Sequence, residues 1–134
     1  MLRFMNGEVG HFEIPAKDMK RAREFYSKVF GWKSSESTMD SGEKYTSLVT
    51  TETDRDNRPK SPGAINGGMI KLRKPFTGPV VTIVASDIAS SLKLVEKSGG
   101  ETVVKRTEMG KYGAYAYFKD SEGNLLGLYE YPKM

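Results

Sequence analysis

The 134-residue sequence predicts an α+β fold built from two tandem βαβββ modules. In each half of the chain, a strand pattern precedes a helical pattern, and further strand patterns follow. The two halves also align on their strand–helix units. The segment 74–79, which contains two prolines and a glycine, separates them. We therefore expect a single domain over 1–134, with module one at 8–73 and module two at 79–132.

Module one begins with a strand pattern at 9–15, which Pro15 ends. Asp18 stands where a helix N-cap belongs, because its carboxylate can accept hydrogen bonds from the free amides of the first turn. Apolar residues then recur at helical spacing as far as Gly31, which is expected to end the helix. They are Met19, Ala22, Phe25, Tyr26, Val29 and Phe30. The remaining predicted segments are strands at 32–36, 45–50 and 67–72 and a mobile surface loop at 51–62.

Module two repeats this order from a strand pattern at 80–84. Asp87 is the second predicted N-cap, and Gly99 and Gly100 are expected to end the second helix. The helical stripe consists of Ile88, Leu92 and Val95. Further strands are predicted at 102–104, 114–118 and 125–131, with a turn at 120–124 before the last.

The repeat itself is seen as identities at a constant shift along the chain. The pairs are Ile14 and Ile83, Ala16 and Ala85, Asp18 and Asp87, Lys28 and Lys97, and Gly31 and Gly100, where 83 − 14 = 69. A tandem duplication explains them, and each module alone is too small to bury much surface. The alternative is that any two strand–helix units share such residues.

Composition limits the chemistry and the partners. The chain has no cysteine, which excludes disulfides and cysteine nucleophiles, and its single histidine is His11. Its net charge is +4 and mixed in sign along the chain, so we expect no nucleic-acid partner, although a pI near 9.2 favours an anionic small molecule. No apolar run approaches the ~18 residues that span a bilayer, and the N-terminus lacks a signal-peptide pattern. We expect a cytoplasmic protein with no membrane partner.

Six motifs occur together over nearly the whole chain. They are Val-Gly-His-Phe-Glu-Ile-Pro (9–15), Asp-Met (18–19), Glu-Phe-Tyr-Ser-Lys-Val-Phe-Gly-Trp (24–32), Ser-Asp-Ile (86–88), Gly-Gly (99–100) and Lys-Asp-Ser-Glu-Gly-Asn-Leu-Leu-Gly-Leu-Tyr-Glu (119–130). This set resembles the vicinal oxygen chelate superfamily, which includes glyoxalase I, extradiol dioxygenases and the fosfomycin- and bleomycin-resistance proteins. The resemblance implies βαβββ modules whose mixed sheets curl around a cleft, and by analogy a homodimer.

The resemblance also implies where a metal would bind. Metal-dependent members hold a divalent ion with four residues, one from the first and one from the last strand of each module. The matching positions here are His11, Val80, Gly127 and a place near Gly67 or Gly68. Only His11 among them can ligate a metal. We therefore expect no metal cofactor, with a divalent metal as the alternative.

Strand alternation indicates which side chains line the cleft. His11 and Glu13 share one face of the first strand, and Phe12 and Ile14 the other. His11 and Glu13 are therefore the candidate catalytic residues, with Glu13 orienting His11 as a general base. The alternative is that His11 is a satisfied remnant of an ancestral metal site. Candidate ligand-binding residues on the matching face of module two are Val80, Thr82, Gly127 and Tyr129.

Two other features carry less functional signal. Glu130 lies three residues beyond Gly127, so a regular strand points the two in opposite directions, and only a bulge would let Glu130 replace the missing carboxylate. The second feature is a cluster of three tyrosines, Tyr112, Tyr115 and Tyr117. We interpret them as residues of the strand surface and the core, and not as a cage around a ligand.

Three functions follow from these observations. The first is a metal-free protein that binds a small, partly aromatic or anionic molecule in a mostly apolar cleft. The second is a lyase or isomerase that uses His11 and Glu13 as acid and base without a metal. The third is a metal-dependent enzyme of the glyoxalase or dioxygenase type.

Overall fold

The computed structural model describes residues 6–38, 42, 44–56 and 58–132. The elements are β1 (Val9–Ala16), α1 (Met19–Phe30), β2 (Lys33–Thr38), β3 (Lys44–Val49), β4 (Gly67–Lys71), β5 (Val80–Val84), α2 (Ile88–Lys97), β6 (Glu101–Glu108), a short 3₁₀ helix (Gly110–Tyr112), β7 (Ala114–Lys119) and β8 (Leu125–Glu130). The predicted βαβββ order is therefore confirmed in both halves. Neither helix reaches 18 residues, and no helix in the described ranges is long and apolar enough to span a bilayer.

The chain divides into two compact units. One is His11–Pro79, and the other joins the N-terminal residues through Gly10 to the residues from Val80 onward. In this second unit the backbone of Gly7 donates to the Val84 carbonyl at 2.8 Å, and the Val84 amide donates to the Glu8 carbonyl at 2.7 Å. Gly7 and Glu8 thus pair with the end of β5.

Each module has the same sheet topology. In module one the strand order is β2-β3-β4-β1, and in module two it is β6-β7-β8-β5. The first and last strands of each module pair in parallel, with Glu13 opposite Gly68 and Thr82 opposite Gly127. The remaining neighbours pair antiparallel. This shared mixed topology confirms the predicted fold class.

Equivalent aspartates begin the two helices, as predicted. The Asp18 carboxylate accepts a hydrogen bond from the Arg21 amide at 3.0 Å, and the Asp87 carboxylate accepts one from the Ser90 amide at 3.2 Å. Both aspartates have extended backbones, the usual N-cap conformation. Gly31 ends α1 at φ 74°, in the left-handed region that favours glycine.

Each helix covers one face of its sheet. Under α2 the buried cluster consists of Ala85, Ile88, Leu92, Ala114, Ala116, Phe118 and Leu128. Under α1 it consists of Ala16, Leu48 and Met69, with Phe12, Ile14, Met19, Ala22, Tyr26 and Trp32 packed against it. Phe12 and Ile14 thus face the helix, as strand alternation predicted.

The apolar stripe predicted on α1 is only partly used for packing. No residue of α1 is buried, and Phe25, Val29 and Phe30 are 54%, 52% and 62% exposed. At about 100° per residue, Phe25 lies about 60° from Ala22, and Val29 lies about 60° from Tyr26 on the same side. The sheet therefore covers one edge of the stripe and leaves these two residues in solvent.

Two local predictions also need correction. The segment 51–62 contains a β-bridge between Thr53 and Pro59, a paired structure where only a loop was expected. β6 is also longer than the predicted strand at 102–104. Bulges on both sides of Val104 interrupt the two-residue alternation from which a longer strand could have been predicted.

Glu130 anchors the second helix. It is buried, and one carboxylate oxygen accepts from the Ile88 amide at 2.9 Å in the first turn of α2. Arg106 donates to the other oxygen at 2.7 Å and also contacts Glu108 at 2.7 Å. The carboxylate therefore neutralises a helix N-terminus and a guanidinium on the helix side of the sheet.

We expect Glu130→Ala to lower the free energy of unfolding by about 3 kcal/mol, because it leaves Arg106 and the helix amide without their buried partner. Glu108→Ala removes an exposed carboxylate from the same arginine, so it is the matched control, with an expected loss below about 1 kcal/mol. Urea denaturation measures both. Equal losses would contradict the anchoring role of Glu130.

Candidate functional site

The candidate site of module one lies on the sheet face that α1 leaves uncovered. His11 and Glu13 alternate with the helix-facing Phe12 and Ile14 on β1. Tyr45 alternates in the same way with buried Thr46 on β3. The register places Glu13 opposite Gly68 of β4, and β4 separates the two strands. The side chains must therefore meet across β4.

The three side chains form a cluster in which the Tyr45 hydroxyl is central. The His11 Nε2 atom lies 3.1 Å from the Tyr45 oxygen, and the Tyr45 hydroxyl donates to Glu13 Oε2 at 3.3 Å. His11 Nε2 and Glu13 Oε2 are 3.8 Å apart. Glu13 is only 6% exposed, whereas about a third of the His11 side chain is accessible. A ligand can thus approach the cluster through the imidazole.

Gly68 makes this arrangement possible. A Cβ atom at position 68 would lie 1.8 Å from the Tyr45 hydroxyl oxygen and 2.4 Å from the ring carbon that bears it. The absence of a side chain on β4 is therefore what lets Tyr45 cross that strand to reach Glu13.

Burial keeps the Tyr45 hydroxyl protonated. Desolvation, followed by the negative charge of Glu13 and the hydrogen bond to it, raises the pKa of Tyr45 well above its usual value. Because the single hydroxyl proton is donated to Glu13, the Tyr45 oxygen accepts from a protonated His11 Nε2. In the neutral imidazole, Nδ1 is then the nitrogen that can accept a proton. No described residue forms a hydrogen bond with Nδ1.

The donor set does not fit the four-ligand metal site that the resemblance implies. Module one offers His11 and Glu13, but its glycine at position 68 has no donor. Val80 and Gly127 in module two have none either. In the described ranges no three His, Cys, Asp or Glu side chains come together. A metal-free state nevertheless stays a prediction.

Module two presents the predicted ligand-binding residues on the face away from α2. Val80 and Thr82 are buried, and Thr82 lies opposite Gly127 in the parallel β5–β8 pair. Tyr129 is half-buried on this same face, and its hydroxyl donates to the Tyr112 carbonyl. Strand pairing therefore brings these residues together within module two, and their contact with a ligand stays a prediction.

A shallow depression on the outer side of module one is a different feature. It is lined by Arg23, Glu24, Ser27, Lys28 and Ser34 from α1 and β2. It is wide open to solvent, and none of its lining residues is buried. A site for a small molecule usually encloses its ligand, so this depression is not the candidate site.

Tyr45 is the site residue that sequence reasoning missed. Its segment was predicted as a strand, but no face of the sheet was assigned to it. The sequence feature linked to its role is Gly68. From the sequence alone, this glycine indicates only a position where the backbone is conformationally free. Only the strand register shows that the glycine makes room for a tyrosine two strands from Glu13.

Comparison with known proteins places the chain in one family. A model of the Glyoxalase/Bleomycin resistance protein/Dioxygenase superfamily matches residues 8–128. The chain belongs to this superfamily.

Individual relatives agree with that assignment. A glyoxylase-like domain-containing protein of Didymella fabae is 30% identical over 129 residues, covering 92% of this chain and 94% of that protein. The crystal structure of methylmalonyl-CoA epimerase from Mycobacterium tuberculosis is similar at TM-score 0.66 and 18% identity, covering 99% and 94% of the two chains. A Streptomyces coelicolor methylmalonyl-CoA epimerase variant with 2-nitronate-propionyl-CoA is similar at TM-score 0.68 and 14% identity, covering 96% and 100%. At these identities the two structures show a common fold.

We expect Gly68→Ala to displace Tyr45 from the cluster and to destabilise the protein by about 2 kcal/mol, because the new methyl group overlaps the tyrosine. In a Tyr45→Ala background the same change meets no phenol and should cost far less. Chemical denaturation of the four proteins in this double-mutant cycle gives the coupling energy, which we expect to be about 1–3 kcal/mol. Additive losses would show that Tyr45 does not occupy the space above Gly68.

Proposed function

We propose that this chain is a metal-independent small-molecule-binding protein of its superfamily. The observation that carries the proposal is the cluster of His11, Tyr45 and Glu13, in which a buried carboxylate and a protonated tyrosine hold a partly exposed imidazole. A few polar side chains that converge on one point are typical of a ligand site.

The chemistry of the cluster suggests how a ligand binds. His11 Nδ1 accepts a hydrogen bond from a ligand in the neutral imidazole and donates one in the imidazolium form. An imidazolium would also complement a carboxylate, and the net charge of +4 favours anionic ligands at longer range. Tyr45 and Glu13 stay engaged with each other and fix the orientation of the ring.

A metal-free proton-transfer enzyme, a lyase or an isomerase, is the second candidate. The observation in its favour is the same cluster, because Glu13 and Tyr45 orient His11 with Nδ1 as a base. The similarity in fold to proteins named methylmalonyl-CoA epimerase suggests a thioester with an acidic α-proton as the probe. In this reaction Nδ1 removes the α-proton and the electron pair moves to the carbonyl oxygen.

Thermal unfolding in the presence of EDTA tests the binding proposal. The probes are pyruvate, malonate, benzoate and methylmalonyl-CoA. We expect at least one to raise the Tm by about 4 °C at ten times its Kd. His11→Gln and Tyr45→Phe should abolish most of that shift, because each removes a partner in the cluster. Glu36→Gln, which changes an exposed carboxylate paired with Lys44, is the control and should keep it.

Two outcomes would contradict this proposal. One is stabilisation that requires added Zn²⁺ or Ni²⁺, and the other is equal shifts in the cluster variants and the wild type. Deuterium exchange of methylmalonyl-CoA in D₂O, followed by proton NMR, decides the second candidate. Exchange that is faster with wild type than with His11→Gln supports the enzyme, and exchange at the blank rate rejects it. The homodimer and the cytoplasmic location stay predictions.

A further inference from the structure

The side chain of Asn66 is fixed by the backbone that follows β3. Its Oδ1 atom accepts a hydrogen bond from the Thr50 amide at 2.7 Å and another from the Thr51 amide at 3.1 Å. Backbone N–H groups only donate, so the atom that accepts from both must be the oxygen of the side-chain amide. These two contacts therefore decide which way the amide points.

The Nδ2 atom of the same amide is left with two unused donors. No residue in the described part of the chain accepts a hydrogen bond from it. Asn66 directly precedes β4, which lies between β3 and β1. Because Oδ1 is held on the β3 side and the amide is planar, Nδ2 points away from β3, towards β1. Asn66 is half-buried, so a ligand can reach these donors.

His11 is the neighbour of Asn66 on β1. In the parallel β1–β4 pair Phe12 lies opposite Gly67, so the residues one position earlier, His11 and Asn66, lie side by side. Asn66 also shares the uncovered sheet face with His11, because it lies two residues before Gly68, over which the cluster forms. Adjacent strands are about 4.8 Å apart. One ligand group can therefore contact Nδ2 and the imidazole together.

The donors that meet here favour a group that only accepts hydrogen bonds. Nδ2 of Asn66 can only donate, and Nδ1 of His11 donates in the imidazolium form. A carboxylate satisfies both donors, with one oxygen on each, and its charge complements the imidazolium. A carboxamide of the same shape has one oxygen, and its NH₂ group would face a second donor. Glu13 lies on the Nε2 side of the ring, where it accepts from Tyr45.

We propose that Asn66 is a specificity-determining residue that makes the module-one site selective for carboxylates over the corresponding carboxamides. One carboxylate oxygen of the ligand accepts from Nδ2 of Asn66, and the other accepts from the His11 imidazolium. This inference rests on the proposed function, because it requires a ligand at His11. It adds the chemical class of that ligand and the residue that selects it.

Two pairs of probes with matched shapes test the inference, namely benzoate with benzamide and pyruvate with pyruvamide. His11 is the single histidine, so NMR titration of its Cε1 proton in the presence of EDTA gives each dissociation constant at this site. The titrations are made at about pH 6, which favours the imidazolium form. The selectivity is the affinity for the carboxylate divided by the affinity for its carboxamide. We expect wild type to prefer the carboxylate in both pairs.

Asn66→Asp removes the Nδ2 donors and keeps the structural contacts. The variant retains an oxygen that accepts from the Thr50 and Thr51 amides, but its second oxygen repels a carboxylate and accepts from a carboxamide. We expect the selectivity to fall at least about tenfold, because a charge-assisted hydrogen bond is lost and a repulsion is gained. The affinity for each carboxamide should rise, which a loss of folding could not produce.

Asn6→Asp is the matched control. The Asn6 Oδ1 atom also accepts from a backbone amide, that of Ser86 at 2.9 Å, and this exposed pair belongs to the other compact unit. The variant makes the same change of chemistry and net charge away from His11. It should leave the selectivity within about twofold of wild type, because salt screens exposed charges that are far apart.

Two results would overturn the inference and leave the proposed function intact. One is a selectivity that Asn66→Asp leaves unchanged or that Asn6→Asp lowers equally. The other is tighter binding of the carboxamides than of the carboxylates by wild type. If none of the four probes shifts the His11 proton, the inference also falls, and the thermal unfolding experiment with the cluster variants then decides whether the proposed function falls with it.

Discussion

One constraint governs both candidate sites, namely that the helix of each module covers a single face of its sheet. Because strand side chains alternate, burial of Phe12 and Ile14 under α1 forces His11 and Glu13 to the opposite face. In module two, burial of Ala116 and Phe118 under α2 does the same for Tyr117. The apolar residues that fold each module therefore also decide which polar residues remain for a ligand.

Glycine completes each site by making room on the last strand. Gly68 allows Tyr45 to cross β4, and Gly127 allows the Thr82 hydroxyl and the Tyr117 ring to approach the β8 backbone. The two glycines occupy equivalent places, opposite the same position of the first strand in their modules. In metal-dependent relatives the resemblance assigns a ligand to this region of the last strand. Here module one uses this space for Tyr45, and module two uses it for the side chains of Thr82 and Tyr117.

Much of the fold could be predicted because its signals are local. Asp18 and Asp87 cap their helices through contacts three residues away, and the order of strands and helices follows from periodicity. The 3₁₀ turn at Gly110–Tyr112 and the full length of β6 were missed, since bulges obscure the period of two. The exposure of Phe25 depends on how far the sheet extends beneath α1, which no local pattern records.

The candidate site was predictable only in part, because some of its contacts join residues that are far apart in the sequence. Alternation within β1 was enough to pair His11 with Glu13. Tyr45 is 32 residues from Glu13 in sequence, and their contact depends on the register of three strands. The hydrogen bond between Glu130 and the first turn of α2 is likewise a long-range contact. That Glu130 lies on the helix side of the sheet was predictable, because it is three residues from Gly127 and so points to the opposite face.

The central claim is that His11 is ordered by a protonated tyrosine and not by a metal. Because His11 is the single histidine, ¹⁵N NMR of the imidazole reports on it without ambiguity. In neutral imidazole we expect a protonated Nε2 and an unprotonated Nδ1, with both signals unchanged by one equivalent of Zn²⁺. A proton on Nδ1, or a shift of either nitrogen to the position of a zinc ligand, would contradict the claim.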